Sequence, residues 1–352
     1  MVASAHSDLV SPERFVSAAY IGLLFPCFVT LNVLILLYRL LTFKWITAAI
    51  SAVVFSLCWM PIQRYVPINS LPEETGNKTE ENIKILTYNV MSFAWKPHTE
   101  RSPNLILDYI ITSDADIVCL QEYEVAVNGG GDQLADVTVR RVLKKYPYRS
   151  VVELRKMRKN AISGLAVYSK YPIIRSQRIS YPSDYNGSSL HEIDIHGKKL
   201  LLINNHLESF KLTTTDRTQY SGVVTSFNTK YLEEIGTTFR HKLGSAFQTR
   251  ARQGEAVASA IRENPADYVL VCGDFNDTPI SYTYRTISKG LTDAFVASGN
   301  GVGITYHANF FWFRIDYILH SPNIRSSHCT VDKVNYSDHY PVWCFLQFDS
   351  RK

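Results

Sequence analysis

The chain has 352 residues, of which 46% are hydrophobic and 20% are charged, and its formal net charge is +5 at pH 7. This composition excludes a disordered or low-complexity protein, because such chains bury too little apolar surface to fold. The small charge excess suits a phosphate-bearing substrate but falls far short of a nucleic-acid-binding signature. We therefore expect one large packed domain or two of ordinary size.

Two apolar runs without charged side chains open the chain, at residues 15–38 and 45–62. Each approaches the roughly 20 residues that a helix needs to cross a bilayer. We therefore predict a membrane anchor over residues 1–66 with two transmembrane helices, in preference to buried core helices or a cleaved signal peptide.

The short link between the two runs carries Arg39 and Lys44. Because cytoplasmic loops are enriched in Lys and Arg, the link is predicted to be cytoplasmic, with the N-terminus and the large domain outside the cytoplasm. Arg14 and Arg64 lie at the other ends of the runs and oppose this orientation. The predicted localisation is a multi-pass membrane protein with an extracytoplasmic domain.

Residues 67–82, rich in Asn, Ser, Pro and Glu, are predicted to form an exposed linker, and residues 83–352 form the large domain. Residues 210–250 are a long insertion that is helical only around Tyr231–Leu243.

Mixed strands and helices predict an α/β sandwich whose helices cover the outer faces of the sheets. The predicted strands are Ile83–Val90, Asp116–Leu120, Ala161–Ser169, Leu190–Ile195, Lys198–Asn204, Tyr268–Cys272, Arg314–His320 and Val342–Phe348. The other predicted helices are Asn104–Thr112, Gln133–Tyr146 and Ala251–Glu263.

Six of these strands carry carboxylate, amide or imidazole side chains at one end. In the clearest case, the strand Tyr268–Cys272 leads into Gly273, where a sharp turn is expected, and then to Asp274 and Asn276. Asp277 is expected to cap the next helix. Any one such end could be turn capping, but six together favour a shared site at one edge of the sheets. The set is Asn89, Glu122, His206, Asp274, Asn276, Asp316, Asp338 and His339.

This set predicts phosphoryl chemistry assisted by a hard cation. Magnesium prefers oxygen ligands and keeps several waters, so one or two carboxylates and a substrate phosphate suffice to bind it. An Asp or an Asp-oriented His can activate the attacking water, and Asn or cationic His side chains can stabilise charge on phosphorus. The residues alone leave open whether Asp274 or His339 is the base.

The polar strand ends lie in six short motifs, which are Leu86–Val90 (LTYNV), Leu120–Glu122 (LQE), Asn205–Leu207 (NHL), Gly273–Asn276 (GDFN), Arg314–Tyr317 (RIDY) and Ser337–Val342 (SDHYPV). Together they resemble the endonuclease/exonuclease/phosphatase superfamily, which includes deoxyribonuclease I, abasic-site endonucleases, inositol polyphosphate 5-phosphatases and bacterial sphingomyelinases. The resemblance covers residues 83–348, and the insertion is its main departure. It implies a four-layer α/β sandwich of two packed mixed β-sheets flanked by helices, in a membrane-anchored member of bacterial type.

The resemblance also implies a metal site. Glu122 is similar to the principal magnesium ligand of the family, with Asn89 as its partner. Asp338 resembles a second carboxylate on the metal side. The implied cofactor is Mg²⁺, with Mn²⁺ as an alternative.

The remaining residues of the set resemble the catalytic groups of the family. Asp274 corresponds to the residue that orients or deprotonates the attacking water, and Asn276 to a hydrogen-bond donor to the transition state. His339, polarised by Asp316, and His206 correspond to groups that contact the phosphate.

A basic cluster precedes the predicted strand at residue 161. A solvated surface is the simpler interpretation, and an electrostatic guide for polyanionic substrates or anionic lipid headgroups is the alternative. The cluster consists of Arg149, Arg155, Lys156, Arg158 and Lys159.

The leading hypothesis is a membrane-anchored phosphoesterase that hydrolyses phosphodiester or phosphomonoester bonds by metal-assisted, in-line attack of water. Its substrate would be a lipid headgroup, a small phosphoester or a nucleic acid, and no protein partner is inferred. One alternative is a nuclease tethered at the surface. The other is an inactive family member that acts as a binding module, although all motif positions are intact.

Overall fold

The computed structural model describes residues 1–70, 78, 82–127, 133–154, 160–183, 185–226, 232–309 and 311–349. Most of the predicted linker, at residues 71–77 and 79–81, lies outside the described residues. The same is true of four members of the basic cluster, within residues 155–159.

Two six-stranded mixed β-sheets form the centre of the large domain. In chain order the strands are β1 Asn82–Asn89, β2 Ile117–Ala126, β3 Tyr148–Glu153, β4 Ala161–Ser169, β5 Ile173–Arg178, β6 Gly187–Ile195, β7 Lys198–His206, β8 Tyr268–Asp274, β9 Thr292–Asp293, β10 Asp316–His320, β11 Ile324–Val331 and β12 Val342–Phe348. The first sheet has the order β11-β12-β1-β2-β4-β3, and the second has the order β5-β6-β7-β8-β10-β9. In each sheet the described strands include one parallel pair, β1/β2 and β7/β8.

Helices cover the outer face of each sheet. In chain order the described helices are α1 Val2–Ala5, α2 Ser17–Leu23, α3 Phe25–Leu41, α4 Trp45–Leu57, α5 Trp59–Tyr65, α6 Leu105–Thr112, α7 Asp136–Val142, α8 Thr214–Ser226, α9 Leu232–Glu263, α10 Tyr282–Ile287 and α11 Ala294–Ser298. Helices α6 and α7 pack on the first sheet, and α9 and α10 pack on the second. Apolar side chains of both sheets form the central core between them. The predicted four-layer α/β sandwich is therefore confirmed.

Strand alternation explains this layering. On β8, Leu270 and Cys272 point into the core between the sheets, whereas Val271 points outwards to α9 and α10. Because both faces of such a strand are buried, its sequence is a continuous apolar run. All eight predicted strands are present. Four of them run further than predicted, since β2 continues to Ala126, β6 begins at Gly187, β7 ends at His206 and β8 includes Gly273 and Asp274.

The insertion at residues 210–250 is more regular than its sequence suggested. It consists of α8 and the first half of α9, which runs unbroken for 32 residues into the predicted helix Ala251–Glu263. The second sheet therefore carries one long helix where the sequence predicted two short ones.

Both N-terminal apolar runs are bent. Among the described residues, no single helix has the length and hydropathy to cross a bilayer, but the pairs α2–α3 and α4–α5 meet that criterion together, with bends of 52° and 64°. The first bend lies at Leu24, just before Pro26, whose ring cannot continue a helix from the preceding turn. Helices α3 and α4 pack on each other as a hairpin that leaves large apolar side chains in solvent. For example, Leu41 is 78% exposed and Ile46 is 82% exposed.

The helices that flank this hairpin dock on the large domain. Gly22 of α2 lies so close to the backbone oxygen of Ile280 that a Cβ atom at this position would be only 2.9 Å from it. Tyr20 donates a hydrogen bond to the carbonyl oxygen of Arg240 on α9 and packs edge-on against Phe247. In the last turn of α5, the backbone oxygen of Arg64 accepts from the Arg314 guanidinium at 2.8 Å. Both ends of the hairpin are therefore fixed to the same domain.

Candidate active site

The sheet topology brings the polar strand ends to one edge of the sandwich. Strands β7 and β8 are parallel, so their carboxyl ends lie together, and β10 is antiparallel to β8, so that its first residue joins them. The register pairs Asp274 directly with both His206 and Asp316. In the other sheet β1 and β2 are parallel and β12 is antiparallel to β1, which brings Asn89 and the residues before Val342 to the same edge.

Asp274 lies at the centre of this cluster. Its Oδ1 accepts from the backbone N–H of Asn276 at 2.7 Å, and its Oδ2 accepts from the side-chain amides of Asn89 and Asn276 at 3.2 and 3.3 Å. The Nε2 atoms of His339 and His206 lie 3.6 and 3.7 Å from the same Oδ2. Burial raises the pKa of Asp274, and the nearby imidazoles oppose that effect.

The predicted pairing of His339 with Asp316 is present. His339 Nδ1 lies 2.9 Å from Asp316 Oδ2, which leaves Nε2 directed at Asp274. Burial alone would lower the pKa of His339, but the carboxylates of Asp316 and Asp274 outweigh it and raise the pKa to about 10. The ring is therefore an imidazolium at neutral pH.

His206 has the opposite protonation state. Its side chain is buried, and desolvation lowers its pKa, with the nearby imidazolium of His339 acting in the same direction. The cluster thus contains one neutral and one cationic imidazole on either side of Asp274. Environments that push the pKa values of like groups apart are a feature of acid–base sites.

Glu122 reaches the cluster through a break in strand geometry. The pairing of β2 with β4 shifts register between Leu120 and Tyr123, and Glu122 has a φ of +49°. A β-bulge of this kind redirects a side chain out of the strand alternation. Asn89 then donates to Glu122 Oε1 at 3.2 Å. The sequence predicted Glu122 at the end of a strand, whereas β2 continues beyond it to Ala126.

Gly273 has a different role from the one expected. It lies inside β8 rather than in a turn, with a φ of +114°. A Cβ atom here would overlap the carbonyl oxygen of Asn205 on β7 and lie 2.7 Å from its backbone nitrogen. Only glycine therefore allows β7 and β8 to approach where they deliver His206 and Asp274.

Asp277 does not cap a helix. The cap of α10 is Ser281, whose hydroxyl accepts from the backbone N–H of Tyr284. Asp277 instead accepts from the buried Arg250 guanidinium at 3.0 Å, and this ion pair ties α9 to the segment after β8. Its part in the site is structural.

Among the described residues at this edge, two groups of atoms could hold a divalent cation. The first is the predicted set of Glu122, Asp338 and Asn89, with both carboxylates lining one cleft. Desolvation and then the Asp338 carboxylate raise the pKa of Glu122, a crowding of negative charge that a cation would relieve. The Asn89 amide nitrogen faces Glu122, so ligation through its oxygen requires the amide to turn over.

The second group is Asp274, Asp316 and His339, whose ligating atoms all lie within 4.8 Å of one another. However, His339 already uses Nδ1 for Asp316, and an imidazolium has no lone pair to give to a metal. An oxygen-only set is also what Mg²⁺ prefers. The Glu122 group therefore fits a hard divalent cation better. The group of Asp274, Asp316 and His339 suits proton transfer and phosphate binding instead.

Several residues around the site were not among the predicted site residues. Ser337 donates to the backbone oxygen of Asn89 at 2.8 Å, and Thr305 accepts from the backbone N–H groups of Ile315 and Asp316. Arg217, in the first turns of α8, lines the same cleft as Glu122. Because α8 belongs to the insertion, no motif indicated this cation.

Of the basic cluster, Arg149 is described, and it is a structural residue. Its guanidinium lies 2.5 Å from Asp136 Oδ1 and donates to the Tyr123 hydroxyl at 3.0 Å. It therefore joins α7 to the first sheet rather than guiding a substrate.

Comparison with protein families matches residues 86–339 to the model described as Endonuclease/Exonuclease/phosphatase family. Residues 1–65 match a second model, described as Domain of unknown function (DUF8431). No curated protein matches the chain. The first match spans more than half of the chain and contains all eight residues of the predicted site.

Solved structures share the fold at low sequence identity. The endonuclease/exonuclease/phosphatase from Beutenbergia cavernae DSM 12333 aligns with a TM-score of 0.54 and 15% identity, over 77% of this chain and 72% of that chain. The corresponding protein from Bacteroides vulgatus has a TM-score of 0.51 and 17% identity, over 77% and 100%. A humanized D. rerio TDP2 has a TM-score of 0.51 and 17% identity, over 76% and 99%. At these identities the likeness establishes a shared fold.

Proposed function

Because the chain belongs to the endonuclease/exonuclease/phosphatase family, a family of phosphoester hydrolases, we propose that it is a membrane-anchored, divalent-metal-dependent phosphoesterase. In this proposal a water molecule attacks phosphorus in line with the leaving oxygen. The observation that carries it is the position of one buried carboxylate, Asp274, whose Oδ2 has the Nε2 atoms of His339 and His206 at 3.6 and 3.7 Å. Glu122 lies on the other side of the shared Asn89 amide.

Glu122 and Asp338, with Asn89 as a further ligand, would hold Mg²⁺ or Mn²⁺. A cation at this position would supply charge neutralisation for the phosphate oxygens as negative charge develops on them. The phosphate would bind in the same cleft, which Glu122, Asp338 and His339 line together. Glu122 is held in this position by the bulge in β2.

Asp274 is the proposed acceptor for the proton of the attacking water. Its Oδ1 is engaged by the Asn276 backbone, whereas Oδ2 faces the cleft between His339 and His206. His339 would donate from Nε2 to a phosphate oxygen, since Asp316 holds the other nitrogen. Preorganised donors of this kind stabilise charge that develops in the transition state.

The site is tested by hydrolysis of bis(4-nitrophenyl) phosphate by the full-length protein in nanodiscs. We expect activity with Mg²⁺ or Mn²⁺, its loss on chelation, and its return when the metal is restored. Asp274→Asn should lower kcat by about 10³-fold, because it removes the proton acceptor. Asp194→Asn is the matched control, since Asp194 lies at the end of β6 away from the site.

Folded wild-type protein that remains inactive with every divalent metal tested would favour the inactive binding module instead. Full activity in the Asp274→Asn variant would also contradict the proposal, because no other described carboxylate has both imidazoles within 3.7 Å.

The membrane location is supported by the exposed apolar hairpin of α3 and α4. Contiguous exposed apolar surface on this scale is uncommon in soluble monomers and marks interaction with a membrane or a partner. The hairpin tip carries Arg39 and Lys44 beside Tyr38 and Trp45, a combination typical of a cytoplasmic membrane interface. The large domain would then lie on the extracytoplasmic side.

This topology is tested by labelling with a membrane-impermeant maleimide in intact cells. The background variant is Cys27→Ser, because Cys27 is an exposed cysteine in α3. We expect Lys289→Cys, on the large domain, to be labelled in intact cells and Thr42→Cys, at the hairpin tip, only after permeabilisation. The reverse pattern would place the large domain in the cytoplasm, and recovery of the protein in the soluble fraction would contradict membrane anchoring.

A further inference from the structure

We infer that the substrate is amphiphilic, with a phosphoester group at the catalytic cluster and an apolar chain in the cavity beside it. This inference rests on the proposed function and adds the class of substrate. It starts from a cavity of about 410 Å³ that contains the catalytic cluster at one end and apolar side chains at the other. Cavities of this size accommodate small organic ligands.

The two ends of the cavity differ sharply in chemistry. Glu122, His206, Asp274 and His339 line one end. The rest is lined largely by aromatic and aliphatic side chains, which would be poorly matched to a fully hydrated phosphoester such as an inositol phosphate. Burial of an apolar chain against them is favourable by about 25 cal/mol per Å². The apolar residues that we call the apolar wall are Leu23, Tyr220, Phe239, Leu243, Phe311 and Phe313.

Aromatic rings from three separate elements build the apolar wall. Tyr220 of α8 stacks on Phe311 with ring centroids 4.5 Å apart and planes at 11°. Phe239 of α9 lies 5.7 Å from Tyr220 and 6.4 Å from Phe311, and Phe313 lies 6.1 Å from Phe311. The insertion therefore contributes an apolar surface directly beside the phosphoester site.

The wall also includes a residue of the N-terminal helices. Leu23, the last residue of α2, lines the same cavity and lies two residues before Phe25, where the exposed hairpin begins. Two helical residues span only about 3 Å along the axis. The apolar end of the cavity is thus adjacent to the part of the chain proposed to enter the membrane, which is where an apolar chain would come from.

Arg217 lies at the boundary between the two ends. It projects from α8 and lines the cavity together with Glu122 and Tyr220. A guanidinium here can pair with an anionic phosphate oxygen while the chain passes over the rings.

The same rings fit a nucleic acid less well. Stacking of a base on an aromatic side chain requires a free ring face. Tyr220 turns one face to Phe311, and Phe239 lies 5.7 Å from Tyr220 and 6.4 Å from Phe311, so the three rings pack mainly against one another. Lys211, the other cation that lines the cavity, is paired with Glu208 at 2.5 Å. The observations therefore favour an apolar chain over a polynucleotide.

The test compares two substrates with the same leaving group, 4-nitrophenyl octyl phosphate and 4-nitrophenyl ethyl phosphate, with the full-length protein in nanodiscs. We expect kcat/KM for the octyl ester to exceed that for the ethyl ester by at least about tenfold, since each buried methylene favours binding several-fold. Binding of octylphosphonate, which cannot be hydrolysed, is measured in parallel by calorimetry against methylphosphonate.

The variants Tyr220→Ala and Phe311→Ala remove parts of the wall. Each should lower the octyl-to-ethyl ratio of kcat/KM by about threefold or more, and this ratio is independent of the fraction of folded enzyme. Trp312→Ala is the matched control, because Trp312 follows Phe311 but is 60% exposed and lies outside the cavity lining. Its ratio should equal that of the wild type.

The outcomes separate the two proposals. If the ethyl ester is hydrolysed but the octyl ester is not preferred, or if wall variants keep the wild-type ratio, the amphiphile inference is overturned while the phosphoesterase stands. If neither ester is hydrolysed but octylphosphonate binds and Tyr220→Ala weakens it, the cavity assignment survives and the enzymatic proposal fails. Preferred cleavage of single-stranded DNA, unaffected by Tyr220→Ala, would overturn the inference in favour of a nuclease.

Discussion

Asp316 lies one hydrogen bond away from the proposed reacting groups. Its Oδ2 lies 2.9 Å from His339 Nδ1, and its backbone N–H donates to the Thr305 hydroxyl, while its Oδ1 has no hydrogen-bond partner among the described residues. Its effect on chemistry therefore has to act through the imidazole. It fixes which nitrogen of His339 faces Asp274 and keeps the ring protonated.

We predict that Asp316→Asn lowers the pKa of His339 by about 1–3 units, because an opposite charge that stabilises the imidazolium is removed. The cationic donor is then partly lost at neutral pH, so kcat should fall by about 10²-fold and the pH profile should shift to lower pH. The pKa is measured by NMR titration of the metal-free protein. Asp332→Asn serves as the control, since Asp332 accepts from Tyr109 and Trp343 instead. An unchanged His339 pKa would contradict the role assigned to Asp316.

At the scale of elements, the site depends on how closely β7 and β8 approach. Gly273 adopts a φ of +114° and leaves no room for a Cβ atom beside the Asn205 backbone. The strands could accommodate a side chain there only by separating, which would move Asp274 away from His206.

We therefore predict that Gly273→Ala lowers the free energy of unfolding by about 2–4 kcal/mol, from backbone strain and overpacking together. Residual folded protein should also have lower kcat. Gly290→Ala isolates the contribution of backbone strain, because Gly290 has a φ of +79° but open space where its Cβ would lie. It should lower the free energy of unfolding by only about 1 kcal/mol. Chemical denaturation measures both. Equal losses in the two variants would show that the strand contact is unimportant.

The four strands that the sequence did not predict are β3, β5, β9 and β11, and each lies at the edge of a sheet. Edge strands lack a neighbour on one side and carry more polar side chains, so they lack the continuous apolar run that identifies a central strand. In β5, Arg175, Ser176 and Gln177 are exposed in succession. The central strands were predicted because burial on both faces makes their sequences apolar.

The site residues could also be picked out of the sequence because they flank the apolar runs of central strands. The eight polar residues follow or precede apolar runs, so parallel and antiparallel neighbours bring them to one edge without further information. Arg217 and the aromatic wall could not be predicted, because α8 and the loop before β10 meet only through tertiary packing. The bulge at Glu122 was also missed, since nothing in the residues around it separates a strand end from a strand that bends.

At the scale of the whole molecule, the N-terminal helices and the large domain form one packed unit rather than an anchor on a tether. Gly22 permits the close contact of α2 with Ile280, and Tyr20 packs against α9. Asp8 forms an ion pair with Arg64 at 2.8 Å, which joins the segment before the hairpin to the segment after it.

We predict that Gly22→Leu releases the N-terminal segment, because a side chain at this position would clash with Ser7 and the Ile280 backbone. The thermal midpoint should fall by about 3–8 °C, and residues 1–23 should become sensitive to limited proteolysis. Gly236→Leu is the control, since Gly236 is exposed on α9 with open space where its Cβ would lie. Unchanged proteolysis in Gly22→Leu would mean that the docking contact is dispensable.

Because the hairpin is fixed to the large domain at both ends, a bilayer that holds the hairpin would also hold the catalytic cleft at one height and one tilt. Enzyme and substrate would then meet by lateral diffusion in a plane, so the rate would follow the mole fraction of substrate in the membrane rather than its amount per volume. Adding inert lipid at constant total substrate should slow the reaction by surface dilution. On a membrane, the contact of Gly22 with the Ile280 backbone would thus help to confine the search for substrate to two dimensions.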